Sequence, residues 1–261
     1  MPSEIGNLFH LRYLGVGLKG AKLFNLPQSI GNLRNLHTLD LRNNEGIHFK
    51  TDEDFTLLLE SPVVESGRLR SLAMVLPFDS AFPSLESLSR CHLLVKLVLK
   101  GKIQNDLHSS HHMQFMPPSL TKLVLSTSEI KQDGLVVLEK LQNLRFLQLG
   151  DYSYAESQMV FFSHEFVKLE TLKLIELHEI QEWQVEKGTM PCLKRLDIYR
   201  IPKLRMIPDG LKFITFLRKI HVQMDSSFVD RIRFEDEFEG EDFYKVRHIP
   251  SVSISLVPVV W

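Results

Sequence analysis

Leucines and other large apolar residues recur along the chain in one frame, L-x-x-L-x-L. The second apolar position of successive frames lies at 14, 39, 72, 97, 123, 147, 172, 196 and 220, so seven of the eight intervals are 24 to 26 residues. A period of about 20 to 29 residues is typical of leucine-rich repeats, and the pattern therefore predicts about nine of them. The frames are LRYLGV (11–16), LHTLDL (36–41), LRSLAM (69–74), LVKLVL (94–99), LTKLVL (120–125), LRFLQL (144–149), LETLKL (169–174), LKRLDI (193–198) and LRKIHV (217–222).

Each frame predicts a short strand. In the second frame, Leu39 and Leu41 point to one face and Asp40 to the other, because side chains alternate along a strand. Strands of successive repeats pair in parallel, and leucines from both sides fill a continuous core that one repeat cannot bury alone. The predicted fold is therefore α/β: a leucine-rich-repeat solenoid shaped as a curved horseshoe, with a parallel concave sheet and an irregular helical or 3-10 convex side.

The return segments differ from repeat to repeat. Leu135, Leu138 and Leu141 have helical spacing, which predicts a helix within 134–143. Pro27 favours a 3-10 turn or extended chain within 25–32. Asn44 matches the asparagine position of the repeat, where an amide satisfies backbone groups inside the turn. Later repeats largely lack this asparagine, so we expect an irregular coil.

Two segments depart from the period. The 33-residue interval contains residues 47–67, which are long enough for an extra loop or helical turn, either a tolerated surface insertion or a functional loop. Residues 225–242 contain eight acidic residues and two arginines, and alternation over 249–256 predicts a last, capping strand. We therefore expect a solenoid over 1–224 and an acidic C-terminal segment over 225–261. The acidic segment is interpreted as a solvated tail, or as one that folds onto the concave face or binds elsewhere.

The outward strand positions are rich in cations. Seven of them are Lys or Arg and two are Asp, although the chain as a whole has a net charge of −1. Solenoids bind partners on their concave surfaces. A basic concave face with a few aromatics suits an acidic protein partner, and a merely solvated face is the alternative. The predicted protein-binding residues are Arg42, Lys96, Lys100, Lys122, Phe146, Lys173, Arg195, Tyr199 and Lys219.

The net charge, the cysteine content and the length of the apolar runs indicate the compartment of the protein and the partners it does not attract. A net charge of −1 creates no overall attraction to nucleic acid or a membrane surface. The two cysteines, Cys91 and Cys192, are typical of a reducing compartment and argue against a disulfide framework or a cysteine-built zinc site. Neither a signal peptide nor an apolar run of about 18 residues is visible. We therefore expect a cytoplasmic chain with no membrane span.

A string of glycines near the N-terminus resembles a nucleotide site. Gly15, Gly17 and Gly20 spell G-x-G-x-x-G, but Val16 fills the third apolar position of a repeat strand, where a dinucleotide fingerprint requires a strand-to-helix turn. A P-loop also fails, because Ala21 stands where its lysine is required. These glycines are interpreted as repeat-loop residues.

Histidines give no convincing metal site. His108, His111 and His112 cluster in a predicted exposed loop, and the zincin-like string that begins at His164 has Lys168 where its second histidine is required. No nucleophile elbow or Cys–His arrangement stands out. We expect neither a metal nor another cofactor and no enzymatic activity.

Longer phrases carry a family resemblance. Several stretches resemble the leucine-rich-repeat region of plant intracellular nucleotide-binding immune receptors (NLR disease resistance proteins) of the coiled-coil class. They are MPSEIGNLFHLRYLGV followed by NLPQSIGNLRNLHTLDLRNN, residues 169–220, and GEDFYKVRHIP (240–250). The resemblance covers almost the whole chain. The family's coiled-coil segment, P-loop and ATPase module are not found in the sequence, so it resembles a receptor truncated to its repeats, and we expect Ile5 and Leu8 to be partly exposed.

The resemblance implies a role in plant innate immunity. In the intact receptors the repeats restrain the ATPase module and help detect pathogen effectors or altered host proteins. The predicted function is non-enzymatic protein recognition by a monomer, with an effector, a guarded host protein or an NLR ATPase module as partner. The alternatives are a substrate-recruiting adaptor for ubiquitination, a nucleotide-dependent switch at residues 15–22, and a non-functional receptor fragment.

Overall fold

The computed structural model describes residues 3–17, 27–43, 60–65, 67–76, 81–82, 84–103, 113–235 and 238–257. The chain divides into two compact units, Met1–Ser128 and Glu129–Trp261, called here the N-terminal and C-terminal units. Each unit is built from repeats of the predicted kind.

The N-terminal unit contains five repeat strands that pair in parallel. Leu39, Leu72, Leu97 and Leu123 occupy one register row, so the second leucines of four successive frames lie side by side. All four are buried. The repeat strands, in spatial order, are β1 (Tyr13–Gly17), β2 (Thr38–Asn43), β3 (Ser71–Val75), β5 (Lys96–Lys100) and β7 (Lys122–Ser126). Two short strands, β4 (Ala81–Phe82) and β6 (Lys102–Ile103), pair with each other.

The return segments of this unit are mostly 3-10 turns. The turn Gln28–Asn32 follows Pro27, as predicted for the proline-containing segment. Leu8 is 53% exposed and Ile5 is half-buried, in agreement with the expectation for the first repeat. Of the 47–67 insertion, the structure describes a short helix, and Asn44 lies outside the described residues. The remaining elements are 3-10 turns Ser3–Asn7 and Glu86–Arg90 and helix α1 (Pro62–Glu65).

The C-terminal unit repeats the same arrangement. Leu147, Leu172, Leu196 and Ile220 share one buried register row, and a further strand joins the outer side of the last frame. The strands are β8 (Phe146–Gly150), β9 (Gln158–Phe161), β10 (Thr171–Ile175), β11 (Glu182–Val185), β12 (Arg195–Tyr199), β13 (Lys219–Met224), β14 (Phe234–Glu235), β15 (Phe238–Glu239) and β16 (Ser251–Leu256), with β8, β10, β12, β13 and β16 parallel in that order.

The return side of this unit is irregular. The helix predicted within 134–143 is α2 (Gln132–Glu139), and its leucines Leu135 and Leu138 are buried. Strands β9 and β11 pair in parallel behind the main strands, and β14 and β15 form an antiparallel pair. The other elements are 3-10 turns Asp209–Phe213 and Phe243–Lys245 and helix α3 (Ser226–Ile232).

A non-glycine residue with positive φ follows several repeat strands. Thr127 (51°), Tyr152 (49°), Glu176 (54°) and Arg200 (49°) occupy the left-handed region, which glycine tolerates most easily. They recur at the repeat spacing, so the chain leaves these strands through the same strained turn each time. No helix in the described part of the chain is long and apolar enough to cross a membrane.

Candidate protein-binding face

Apart from Arg42, the predicted binding residues lie on the strand face that points away from the leucine core, called here the sheet face. Within each unit, parallel pairing in register places equivalent frame positions side by side in rows across this face. A row is therefore set by the repeat spacing: residues about 24 to 26 apart in sequence become neighbours in space.

In the N-terminal unit the sheet face combines cations with a shallow apolar row. Lys96 is the register partner of Lys122, and Lys100 is the partner of Ser126. Val98 and Val124 lie between them in the middle row, and Ala73 continues this row on β3. Ammonium groups therefore border an apolar strip on both sides. The side chain of Arg42 lies outside the described residues.

In the C-terminal unit two predicted binding cations are already paired. Asp197 is almost fully buried, and its carboxylate lies 2.9 Å from Lys173 Nζ and 2.9 Å from Arg195 Nε. Burial alone would raise the pKa of Asp197, but the hydrogen bonds from Arg195 and Lys173 outweigh burial and hold that pKa below its ordinary value. Lys173 and Arg195 therefore neutralise an internal carboxylate.

The other predicted residues of this unit remain accessible. Phe146 is half-buried in register with Thr171, and Lys219 is exposed beside Arg195. Tyr199 is half-buried, and the Arg200 guanidinium lies 5.2 Å from its ring centroid. Sequence reasoning missed two features: the apolar middle row and the neutralising role of Asp197. The signal for the second was present, because Lys173 and Asp197 occupy the same frame position 24 residues apart.

Part of the acidic segment is built into the C-terminal unit. Asp225 caps α3 by accepting a hydrogen bond from the Phe228 N–H. Asp242 is buried and accepts from Arg231 Nε at 2.9 Å and Lys245 Nζ at 2.8 Å. These two acids therefore have structural partners and are not freely solvated.

The other sequence motifs are placed as follows. Gly15 and Gly17 lie within strand β1 and not in a repeat loop, so their interpretation as loop residues is wrong; a strand there follows from the frame LRYLGV. Gly20 and the histidines at 108, 111 and 112 lie outside the described residues. His164 lies in a turn, not on a helix. Across the ranges that the structure describes, no three His, Cys, Asp or Glu side chains are grouped as a metal site.

The cysteines are both free. Cys91 is buried, and burial raises the pKa of its thiol to about 11, whereas Cys192 is exposed. The buried thiol is therefore protonated at neutral pH and serves as a small apolar core residue.

These features define a leucine-rich-repeat protein: parallel strands in register, one leucine frame on each of nine strands, and a return side of short helices and 3-10 turns. The predicted α/β fold class is therefore confirmed. A solved structure of a leucine-rich-repeat protein from Leptospira interrogans is similar at 18% identity and a TM-score of 0.49, covering 97% of this chain and 68% of that one. No family model matches the chain.

The homologues of the chain are plant disease resistance proteins, which confirms the resemblance seen in the sequence. A probable disease resistance protein of Arabidopsis thaliana is 31% identical over 97% of this chain and 35% of its own length. The Arabidopsis disease resistance protein RPP8 is 29% identical over 97% of this chain and 34% of its own length. The chain thus spans about a third of the length of these relatives.

Proposed function

We propose that this chain is a non-enzymatic recognition module of plant innate immunity that acts in the cytoplasm as a monomer. Its proposed partner is a pathogen effector, a guarded host protein or the ATPase module of an NLR receptor, bound on the sheet face. The proposal is supported by the disease resistance relatives and by the leucine-rich-repeat fold, whose sheet offers an open surface for a protein.

The arrangement that carries this proposal is the basic and apolar sheet face of the N-terminal unit. Neighbouring strands lie about 4.8 Å apart, so the register pair Lys96 and Lys122 places two lysines side by side on this face. Lys100 lies on the far side of Val98 and is exposed. An acidic segment with an apolar side chain fits this surface, because carboxylates pair with the lysines while the apolar group covers Val124, the half-buried member of the middle row.

The sheet face of the C-terminal unit contributes differently. Since the single carboxylate of Asp197 offsets one of the two positive charges of Lys173 and Arg195, we expect this part of the face to attract anions less strongly. Tyr199 and Lys219 supply ring surface and charge beside the paired group. Reversing the charge of Lys173 or Arg195 would also remove one of the two cations of the buried Asp197 and place a second carboxylate beside it, so such variants would confuse binding with stability.

The test is a comparative capture experiment. The tagged chain, the variant Lys96→Glu with Lys122→Glu, and a charge-matched control, Arg12→Glu with Arg34→Glu, are each incubated with leaf extract. The control arginines are exposed and lie in the turns before β1 and β2. We expect at least one plant protein to be retained by the natural chain and the control but lost, by about tenfold or more, from the lysine variant, since two charge-assisted contacts are removed.

Circular dichroism melting of the three proteins checks that all are equally folded. Equal capture by all three proteins would remove the sheet face of the N-terminal unit from the proposal. Loss from the arginine control as well would show that only the net charge matters.

A further inference from the structure

A second surface on the return side of the C-terminal unit alternates lysines with exposed aromatic rings. Lys187 Nζ lies 5.2 Å from the ring centroid of Phe213, and Lys212 Nζ lies 5.2 Å from the same ring and 5.6 Å from that of Tyr244. Phe213 is 45% exposed and Tyr244 41% exposed. These four residues are called here the lysine–aromatic cluster. Phe216, three residues after Phe213 in the sequence, is also exposed.

Three separate elements hold this cluster in place. Gly210 allows the turn Asp209–Phe213 to lie against β11, since a Cβ there would sit 1.8 Å from the Val185 carbonyl oxygen. This close approach brings Phe213 next to Lys187, which follows β11. On the other side, the Tyr244 hydroxyl donates to Asp209 Oδ1 at 2.7 Å. The rings are therefore positioned before any partner arrives.

The two lysines of the cluster differ from the ion-paired cations of the unit. Lys194, Arg200 and Lys203 each pair with a glutamate of the preceding repeat. Lys187 and Lys212 have no ion pair within the described ranges and lie against a ring instead. A ring face attracts a cation without neutralising its charge. Both ammonium groups consequently remain able to bind an anion, with an exposed phenylalanine between them.

We propose that the lysine–aromatic cluster is a second docking site, and that its ligand is an acidic segment of a partner protein. Carboxylates of the segment pair with Lys187 and Lys212, and a neighbouring apolar side chain packs on Phe213. Exposed aromatic surface bordered by charge is typical of protein interaction sites. This site is separate from the sheet face and does not depend on what binds there.

The charges around the cluster favour a peptide over a membrane or a nucleic acid. Asp209 belongs to the same turn as Lys212 and Phe213, and Glu186 is exposed next to Lys187. A polybasic membrane site typically contains about 4 to 8 Lys or Arg, and nucleic acid sites have an extended basic face. Two lysines with acids beside them match a ligand that places a few carboxylates at defined points.

The experiment measures fluorescence anisotropy of a labelled synthetic peptide rich in glutamate and phenylalanine, added to the full chain. A peptide with lysine in place of glutamate and phosphatidylserine vesicles are parallel probes. We expect the acidic peptide to bind with an affinity that falls as salt is raised. The variant Lys187→Glu with Lys212→Glu should weaken this binding about tenfold or more, and Phe213→Ala should weaken it too.

The control is Lys131→Glu with Arg205→Glu, which makes the same change in net charge at two exposed positions of the same unit. We expect it to bind the acidic peptide as the natural chain does. Because the sheet face also fits an acidic segment, the change Lys187→Glu with Lys212→Glu is repeated in the Lys96→Glu, Lys122→Glu background, where we expect the same loss of binding. No binding of the acidic peptide, or equal loss in the control, would overturn the proposal. Binding of vesicles without binding of the peptide would overturn it in favour of a membrane site.

Discussion

Two buried acids of the C-terminal unit show how neighbouring residues decide ionisation. Asp197 has a cation on either side, and its pKa is lowered. Glu139 in α2 is equally buried, but its Oε1 accepts only the Phe162 N–H, at 3.3 Å, and its Oε2 has no partner within the described residues. Burial raises the pKa of Glu139 to about 8, so this side chain is protonated at neutral pH.

The protonation of Glu139 predicts a pH-dependent stability. The folded state holds this proton up to about pH 8, whereas the unfolded state releases it near pH 4.5, so the free energy of unfolding should fall as pH rises through this window. Glu139→Gln retains a neutral side chain and should be more stable than the natural chain at pH 8, by about 1 to 3 kcal/mol. Urea denaturation at pH 5 and pH 8 measures the difference.

The matched control is Glu86→Gln, which changes the same group at an exposed site. It should leave the pH profile of stability unchanged. A Glu139→Gln profile parallel to that of the natural chain would show that Glu139 is ionised in the folded protein.

At the scale of elements, the repeat spacing creates ladders of side chains on the surface. Glu170 bridges Arg145 of the preceding repeat and Lys194 of the following one. Lys203 reaches Glu179, 24 residues earlier. Such exposed pairs contribute about 0 to 1 kcal/mol each. They therefore contribute little to the stability of the fold.

The elements after the last frame are held by a less exposed network. Lys245 is buried, and its Nζ donates to Asp242 at 2.8 Å, to Asp209 at 3.2 Å and to the Ile207 carbonyl at 2.8 Å. Burial alone would lower the pKa of Lys245, but its hydrogen bonds to Asp242 and Asp209 outweigh burial and raise it. Arg231 of α3 joins through Asp242. The network ties α3 and the turn Phe243–Lys245 to the turn Asp209–Phe213.

The importance of this network can be tested by substituting, one at a time, the two acids that pair with Arg231. Asp242→Asn should destabilise the chain by about 3 to 5 kcal/mol, because Lys245 stays buried with less compensating charge. Glu241→Gln removes an exposed partner of the same arginine and should cost less than about 1 kcal/mol. Chemical denaturation of both variants measures the two costs. Similar losses in the two variants would mean that burial of Lys245 is not what makes Asp242 important.

At the scale of the whole molecule, a stack of repeats is expected to couple mainly between neighbours. Leu172→Ala removes a buried side chain from β10 and should cost about 2 to 5 kcal/mol. Amide hydrogen exchange should therefore accelerate most in β8, β10 and β12 and less in β16. Val167→Ala, at an exposed position, should change little. Uniform acceleration over the C-terminal unit would show that it unfolds as one cooperative body.

The sequence alone was sufficient for the repeated part of the fold. A leucine at every second strand position and a period near 24 residues leave few alternatives to parallel strands with a shared core, and Leu39, Leu97 and Leu172 are buried as predicted. The α2 helix and the 3-10 turn after Pro27 also followed from local spacing and from proline chemistry. The family resemblance could be seen in phrases such as IGNL, because these encode recurring turns of the repeat.

The tertiary structure decided which charges are available. Sequence reasoning counted Lys173 and Arg195 as unpaired cations, but register places both against Asp197, where ion pairs with the buried carboxylate hold them. The lysine–aromatic cluster joins residues from three return segments. The repeat spacing relates Lys187 to Phe213, but only the fold brings Tyr244 to them. Periodicity specifies which residues face the core, since burial repeats with the frame. The pairing of polar side chains depends on distances across repeats, and only the packed chain determines those.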